Sequence, residues 1–114
     1  MLPSSRRVSR VLFDKTLKAS KVVHGDTLSI RIGSHEGVSR FSFVVAKKID
    51  KRAVKRNLIR RRGNEAFAKL LPRVKPGYVF IVFAKKGVEE LSPAALLSDM
   101  LALLEKTPVL LTKN

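Results

Sequence analysis

Residues 53–71 read AVKRNLIRRRGNEAFAKLL, and this stretch decides how the chain folds. Apolar and small residues recur every three or four positions, which predicts one amphipathic α-helix, and Pro72 ends it. The residues expected to face the core are Ile59, Gly63, Ala66, Phe67 and Leu70. One side of the helix should therefore pack on a sheet. Gly63 lies on that side, which indicates a close approach between helix and strand.

The side next to this core face is basic and polar. It carries the four residues that we call the Arg–Asn ridge: Arg56, Asn57, Arg60 and Arg61. Residues 51–62 contain seven bases and no acid, so like charges lie four residues apart and destabilise the free helix. Guanidinium groups suit bidentate contact with phosphate. We interpret the ridge as a binding surface for a polyanion.

Three segments have the patterns of β-strands. Residues 26–32 and 39–46 alternate apolar with polar, and the turn cluster 33–37 separates them, which predicts a β-hairpin. Residues 78–84 are apolar throughout, which predicts a central strand covered on both faces.

The chain before the main helix begins with a short polar segment. We predict that residues 1–10 form a flexible basic arm, after which Ser9 or Asp14 starts a first helix. Phe13 and Leu17 recur there at helical spacing.

A last helix begins at Ser92, an N-cap residue followed by Pro93, and ends before Pro108. Its apolar stripe comprises Leu96, Leu97, Met100, Leu101, Leu103 and Leu104. We expect residues 107–114 to be a frayed tail.

A length of 114 residues with 45% hydrophobic side chains fits one domain spanning residues 1–114. The predicted order is α-β-β-α-β-α. This order is typical of an α+β sandwich in which helices pack on a small sheet.

The charge of the chain points to a nucleic acid. Lysine and arginine number 24 against 9 acids, which gives +15, and such an excess repels itself unless a polyanion supplies counter-charge.

Cysteine is absent, so disulfides and thiolate sites are excluded. No apolar run approaches the roughly 20 residues that span a bilayer. We expect a soluble, cytoplasmic RNA-binding protein. A membrane-surface role is less favoured, because the main helix needs its apolar residues for a core.

Three separated motifs resemble the protein component of bacterial ribonuclease P. They are VAKK at 45–48, RAVKRNLIRR at 52–61 and EAF at 65–67, and the stretch 78–88 is similar to that family's last strand and loop. The family implies a left-handed crossover between the two parallel strands that flank the main helix.

The resemblance also implies which residues meet RNA. The RNA-binding set would be Lys47, Lys48, Lys51, Arg52, Arg56, Asn57, Arg60 and Arg61. A groove between the first helix and the sheet, with Phe13 and Leu17 in it, would receive the 5′ leader of precursor tRNA. Three positions depart from the family's pattern, namely Leu58, Gly63 and Asn64.

In that family the RNA subunit cleaves precursor tRNA with bound Mg²⁺, and the protein assists substrate binding. The implied partners are therefore ribonuclease P RNA and precursor tRNA, without a membrane. The protein itself would hold no tightly bound metal and no catalytic residue, in keeping with acids that are scattered along the chain. The rival interpretation is a ribosomal or RNA-assembly protein, because charge alone does not distinguish one folded RNA from another.

Overall fold

Three helices pack on one four-stranded sheet in the computed structural model, which describes residues 6–19 and 21–107. The elements are α1 (Arg10–Ala19), β1 (Lys21–His24), β2 (Leu28–Ser34), β3 (Arg40–Val44), α2 (Ala53–Leu70), β4 (Tyr78–Ala84) and α3 (Pro93–Glu105). The predicted α+β class is confirmed. The order is as predicted, with β1 added to it.

The sheet has the strand order β1-β2-β4-β3. Strand β4 is antiparallel to β2 and parallel to β3, so the prediction of a central apolar strand is confirmed. The predicted hairpin between 26–32 and 39–46 is wrong, because β4 lies between these two strands. The alternating pattern identifies a strand and its buried face but not its partner. A strand that is apolar on both faces takes the middle position.

The hairpin instead joins β1 to β2, with Val23 opposite Ile30. Strand β1 was not predicted because it lies at the edge of the sheet and buries little. Three of its four residues are exposed and only Val23 is half-buried. Its sequence therefore lacks the apolar alternation that marks a strand with one covered face.

Helix α2 connects the parallel strands β3 and β4. This is the crossover unit that the family resemblance implies. The left-handedness of the crossover stays a prediction. The helix ends at Leu70, and Pro72 lies in the short 3-10 turn that follows.

The core lies between the sheet and the two helices α2 and α3. The buried residues of α2 are those predicted: Ile59, Gly63, Ala66, Phe67 and Leu70. In the α3 stripe, Leu96, Met100, Leu103 and Leu104 are buried, and Leu97 and Leu101 are partly buried. Phe67 stacks on Phe41 of β3 with 4.0 Å between ring centroids. Full burial of one such ring contributes about 1.5–3 kcal/mol, which fixes the face that α2 turns to the sheet.

Side-chain caps confirm where the outer helices begin. The Ser9 hydroxyl accepts from the Leu12 N–H at 3.2 Å, so Ser9 and not Asp14 starts α1. The Ser92 hydroxyl accepts from the Ala95 N–H at 3.1 Å at the start of α3.

The chain ends lie largely outside the described residues. Residues 1–5 of the predicted flexible arm and 108–114 of the predicted frayed tail belong to this part. Arg7, within the arm, forms a β-bridge with Phe41, and the Arg40 guanidinium donates to the Arg7 carbonyl at 3.0 Å. The described part of the arm thus contacts the outer edge of β3.

Candidate nucleic-acid interface

The loop before α2 is held by its own side chains. Ile49 is buried, and its N–H donates to the Ala46 carbonyl at 3.0 Å, which closes a turn that leaves Lys47 and Lys48 exposed. These two predicted RNA contacts therefore point away from the core at a fixed place beside the helix.

Asp50 organises the last residues of this loop. Its carboxylate accepts from the Arg52 backbone N–H at 2.9 Å and from two guanidinium nitrogens of Arg52, each at 3.1 Å. The hydrogen bonds from the Arg52 side chain, and then from its backbone, lower the pKa of Asp50 to about 2. The charge of Arg52 is thus partly matched within the protein, while its side chain stays 69% exposed.

Arg56 also binds to the loop. One of its guanidinium nitrogens donates to the carbonyls of Asp50 and Lys51, at 3.0 and 2.9 Å. Arg56 therefore fixes the loop against the first turn of α2. Its other guanidinium nitrogens are not used in these two contacts.

The middle of the Arg–Asn ridge is open. The Arg60 guanidinium donates to the side-chain oxygen of Asn57, which orients the arginine along the helix surface. Asn57 and Arg61 are exposed, and Arg60 is half-buried. Neither Arg60 nor Arg61 forms an ion pair with a described residue. Their charges are available to an external anion.

A groove of about 510 Å³, which we call the α2–β3 groove, lies between the ridge and the edge of the sheet. Its lining residues are Arg7, Val8, Phe41, Ser42, Phe43, Asn57, Arg60, Arg61, Asn64 and Glu65. The structure thus brings three of the four ridge residues together with β3 and the N-terminal arm. Arg7 was not singled out from the sequence, since the β-bridge that places it depends on tertiary contacts.

A second basic cluster lies where the parallel strands end. Lys48 lines a small cavity together with Lys85 and Lys86, which follow β4. Lys85 donates to the Gly25 carbonyl at 2.8 Å, whereas Lys86 lies 3.6 Å from Glu89 and remains exposed. The sequence carried a signal for this cluster, because carboxyl ends of parallel strands meet at one edge of the sheet and a Lys-Lys pair follows each.

The two leader-groove residues lie on the opposite face of the sheet. Helix α1 packs there against β2: Thr16 contacts Gly33, and the Leu17 carbonyl accepts from Arg31 at 3.2 Å. Phe13 and Leu17 are half-buried, and neither lines the α2–β3 groove. The structure therefore separates the leader-groove residues from the ridge.

An aromatic residue that the sequence analysis missed lies on the same face as α1. Phe83 pairs with Ser29 on one side and Val44 on the other, and all three are half-buried. Alternation along β4 turns Phe83 away from the core that holds Phe80 and Val82. The sequence does not reveal this partial exposure of Phe83, because every residue from 78 to 84 is apolar.

Two further features of the described residues bear on function, namely their acids and their helices. No group of three or more histidine, cysteine, aspartate or glutamate side chains converges as a metal site would require within residues 6–19 and 21–107. Over the same ranges, no helix is long and apolar enough to cross a membrane.

Comparisons with known proteins agree on one family. The sequence profile of the family described as Ribonuclease P matches residues 2–108. The ribonuclease P protein component of Synechococcus elongatus is 34% identical over 73 residues, which are 63% of this chain and 60% of that protein. The corresponding protein of Nitrosomonas eutropha is 30% identical over 110 residues, covering 92% of this chain and 89% of that one.

The fold also matches a solved structure. The RNase P protein of Staphylococcus aureus superposes with a TM-score of 0.81 at 20% identity, over 91% of this chain and 96% of that chain. At this level of identity, the match supports the arrangement of helices and strands described above.

Proposed function

The chain belongs to the ribonuclease P protein family, and on that premise we propose that it is the protein subunit of bacterial ribonuclease P. In this role it binds the catalytic RNA and assists removal of the 5′ leader from precursor tRNA. The RNA subunit cleaves the phosphodiester bond and holds the Mg²⁺ for that reaction. The protein contributes binding energy and no catalytic side chain.

One observation carries this proposal: the core fixes the orientation of a basic helix. Phe67 and Gly63 are buried against β3, so the Arg–Asn ridge can face only outward. Because the helix is already folded, only side chains lose freedom when the guanidinium groups contact phosphates, which lowers the entropic cost of binding. Lys47, Lys48, Lys51 and Arg52 extend the same surface at the start of the helix.

Precursor tRNA would contact the other face of the sheet. Phe13 and Leu17 on α1 and Phe83 on β4 offer half-buried apolar surface there. Unpaired bases stack on such surface whatever their sequence, as leaders of varied sequence require. We therefore assign the leader groove to this face and add Phe83 to it.

Since the substrate of the protein would be newly made tRNA, we place the protein in the cytoplasm.

Reconstitution tests the proposal. Purified protein is added to a bacterial ribonuclease P RNA and a precursor tRNA at low Mg²⁺, and multiple-turnover cleavage is measured. We expect stimulation at Mg²⁺ concentrations where the RNA alone is slow, because the bound protein neutralises phosphates that Mg²⁺ would otherwise screen. Stimulation should be smaller with a precursor whose leader is shortened to one nucleotide. Failure to stimulate at any salt or Mg²⁺ concentration would contradict the proposal and favour a ribosomal or RNA-assembly role.

A further inference from the structure

The α2–β3 groove is concave, whereas contact with the outside of an RNA duplex needs only a convex ridge. Its volume of about 510 Å³ lies within the range of roughly 300–1,000 Å³ that is typical of small-molecule sites. The edge strand β3 forms one wall of the groove and α2 forms the other. Arg7 and Val8 of the N-terminal arm complete the lining beside β3. Duplex phosphates do not explain a pocket of this size beside the ridge.

Glu65 distinguishes this groove from a plain phosphate site. It is the single acid among the 18 residues of α2, and it lines the groove together with Arg60 and Arg61. It forms no ion pair with any described residue, although Arg61 and Lys69 lie one helical turn away. A carboxylate repels phosphate, but it accepts hydrogen bonds from the amino groups of nucleobases.

Two carboxamides complete the polar wall. The oxygen of Asn57 is occupied by Arg60, which leaves its NH₂ group to donate. Asn64 also lines the groove, and its carboxamide can both donate and accept. A carboxylate and two amides offer both acceptors and donors along one wall, as the edge of a base requires.

The rings of Phe41 and Phe43 do not offer a stacking platform here, because these residues are only 2% and 3% exposed and their rings pack in the core. The groove would therefore hold a base through edge hydrogen bonds and through the guanidinium planes of its arginines. Recognition by hydrogen bonds distinguishes among bases, whereas stacking does not.

We propose that the α2–β3 groove holds one unpaired nucleotide of the bound RNA. Its phosphate lies against Arg60 and Arg61, and its base carries an exocyclic amino group that donates to Glu65. This inference rests on the proposed function, in that the RNA is the one that the ridge binds. It adds a base-reading site to a surface that otherwise contacts only backbone.

The test uses the full chain labelled with ¹⁵N and titrated separately with GMP, AMP, CMP, UMP and ribose 5-phosphate. The first three should shift the side-chain NH₂ signals of Asn57 and Asn64. They should also bind about tenfold more tightly than UMP, which lacks an exocyclic amine, because a hydrogen bond to a charged acceptor is lost. Ribose 5-phosphate should bind as weakly as UMP.

The matched variants are Glu65→Ala and Glu105→Ala, which each remove one exposed acid from a helix. Glu65→Ala should abolish the preference over UMP, and Glu105→Ala should leave it unchanged. The ratio of affinities is compared, because removal of any acid strengthens phosphate binding in general.

Equal binding of all five ligands, or shifts confined to other parts of the protein, would overturn this inference. If the same protein still stimulates precursor tRNA cleavage, only the base-reading site fails. If the nucleotides bind as expected but cleavage is not stimulated, the base-reading site is supported and the proposed subunit role is contradicted.

Discussion

Gly63 sets how closely α2 approaches the sheet. A Cβ atom at this position would lie 2.5 Å from Cγ of Phe43, well inside van der Waals contact. The glycine is placed in the middle of a helix, where it costs about 1 kcal/mol relative to alanine. The close approach of helix and strand offsets this cost by allowing Phe43 and Phe67 to be buried together.

Gly63→Ala should therefore destabilise the protein, although alanine is the better helix former. Overpacking costs about 1–3 kcal/mol, and the gain in helix propensity offsets about 1 kcal/mol of it. We expect a net loss of about 1 kcal/mol, measured as a lower midpoint of urea unfolding. Ser98→Ala, at an exposed position of α3, is the control and should change stability by less than about 0.5 kcal/mol. Equal or higher stability of Gly63→Ala would contradict the close packing.

The sequence indicated which side chains form the ridge but not what each one contacts. Helical periodicity placed Arg56, Arg60 and Arg61 on one side, because side-chain direction in a helix follows from spacing alone. The contacts of Arg56 with two loop carbonyls depend on the path of residues 50–52, which no periodic pattern encodes. Phe83 was missed because it lies inside a continuous apolar run, and Lys86 was missed although a Lys-Lys pair follows each of the two parallel strands.

Among the elements, α2 begins without a side-chain cap from its own N-cap residue, Arg52. Asp50, two residues earlier, accepts from the Arg52 N–H and side chain instead. The loop and the helix start are thus joined by one carboxylate. This arrangement holds Lys51 and Arg52 beside the ridge.

The pairing of Asp50 should make the helix start sensitive to acid. Its folded pKa of about 2 lies below the ordinary 3.8, so its contribution to stability is present above about pH 4. That contribution is lost as the pH falls from about 4 to about 2. Asp50→Asn should therefore lower the melting temperature at neutral pH, and its difference from the unsubstituted protein should shrink over this interval. Circular dichroism measures both.

Glu90→Gln serves as the control for Asp50→Asn, since Glu90 is exposed and forms no ion pair with a described residue. Its melting temperature should follow that of the unsubstituted protein at each pH. A difference for Asp50→Asn that stays constant down to about pH 2 would show that the carboxylate does not stabilise this loop by its charge.

The elements were largely predictable from the sequence, and their pairing was not. The bounds of α2 and α3 followed from periodicity, from Pro72 and from the Ser92–Pro93 cap. The position of β4 between β2 and β3 depends on long-range contacts, which local alternation does not contain. Edge strand β1 was missed because it contributes little to the core.

Charge is distributed unevenly over the molecule. Residues 87–105 contain no lysine or arginine and four acids, in a chain whose formal charge is +15. This segment includes α3, whose exposed residues carry no base: Pro93, Ala94, Ser98, Ala102 and Glu105. The basic residues therefore lie away from α3, and we expect the α3 side of the molecule to face away from bound RNA.

RNA should bind the ridge that the core orients, and not the positive charge of the molecule in general. Two double variants separate these possibilities, because each removes two bases and lowers the formal charge of +15 by two. The first is Arg60→Ala with Arg61→Ala on the ridge. The second is Lys69→Ala with Lys106→Ala, both exposed and outside the α2–β3 groove.

The decisive measurement is the affinity of each variant for ribonuclease P RNA as a function of salt concentration. The ridge variant should bind more weakly and lose about one unit of slope, in a plot of log affinity against log salt, for each phosphate that Arg60 and Arg61 contact. The second variant should keep the slope of the unsubstituted protein. Equal losses in both variants, or an unchanged slope in the ridge variant, would contradict the assignment of the Arg–Asn ridge as the RNA-binding surface.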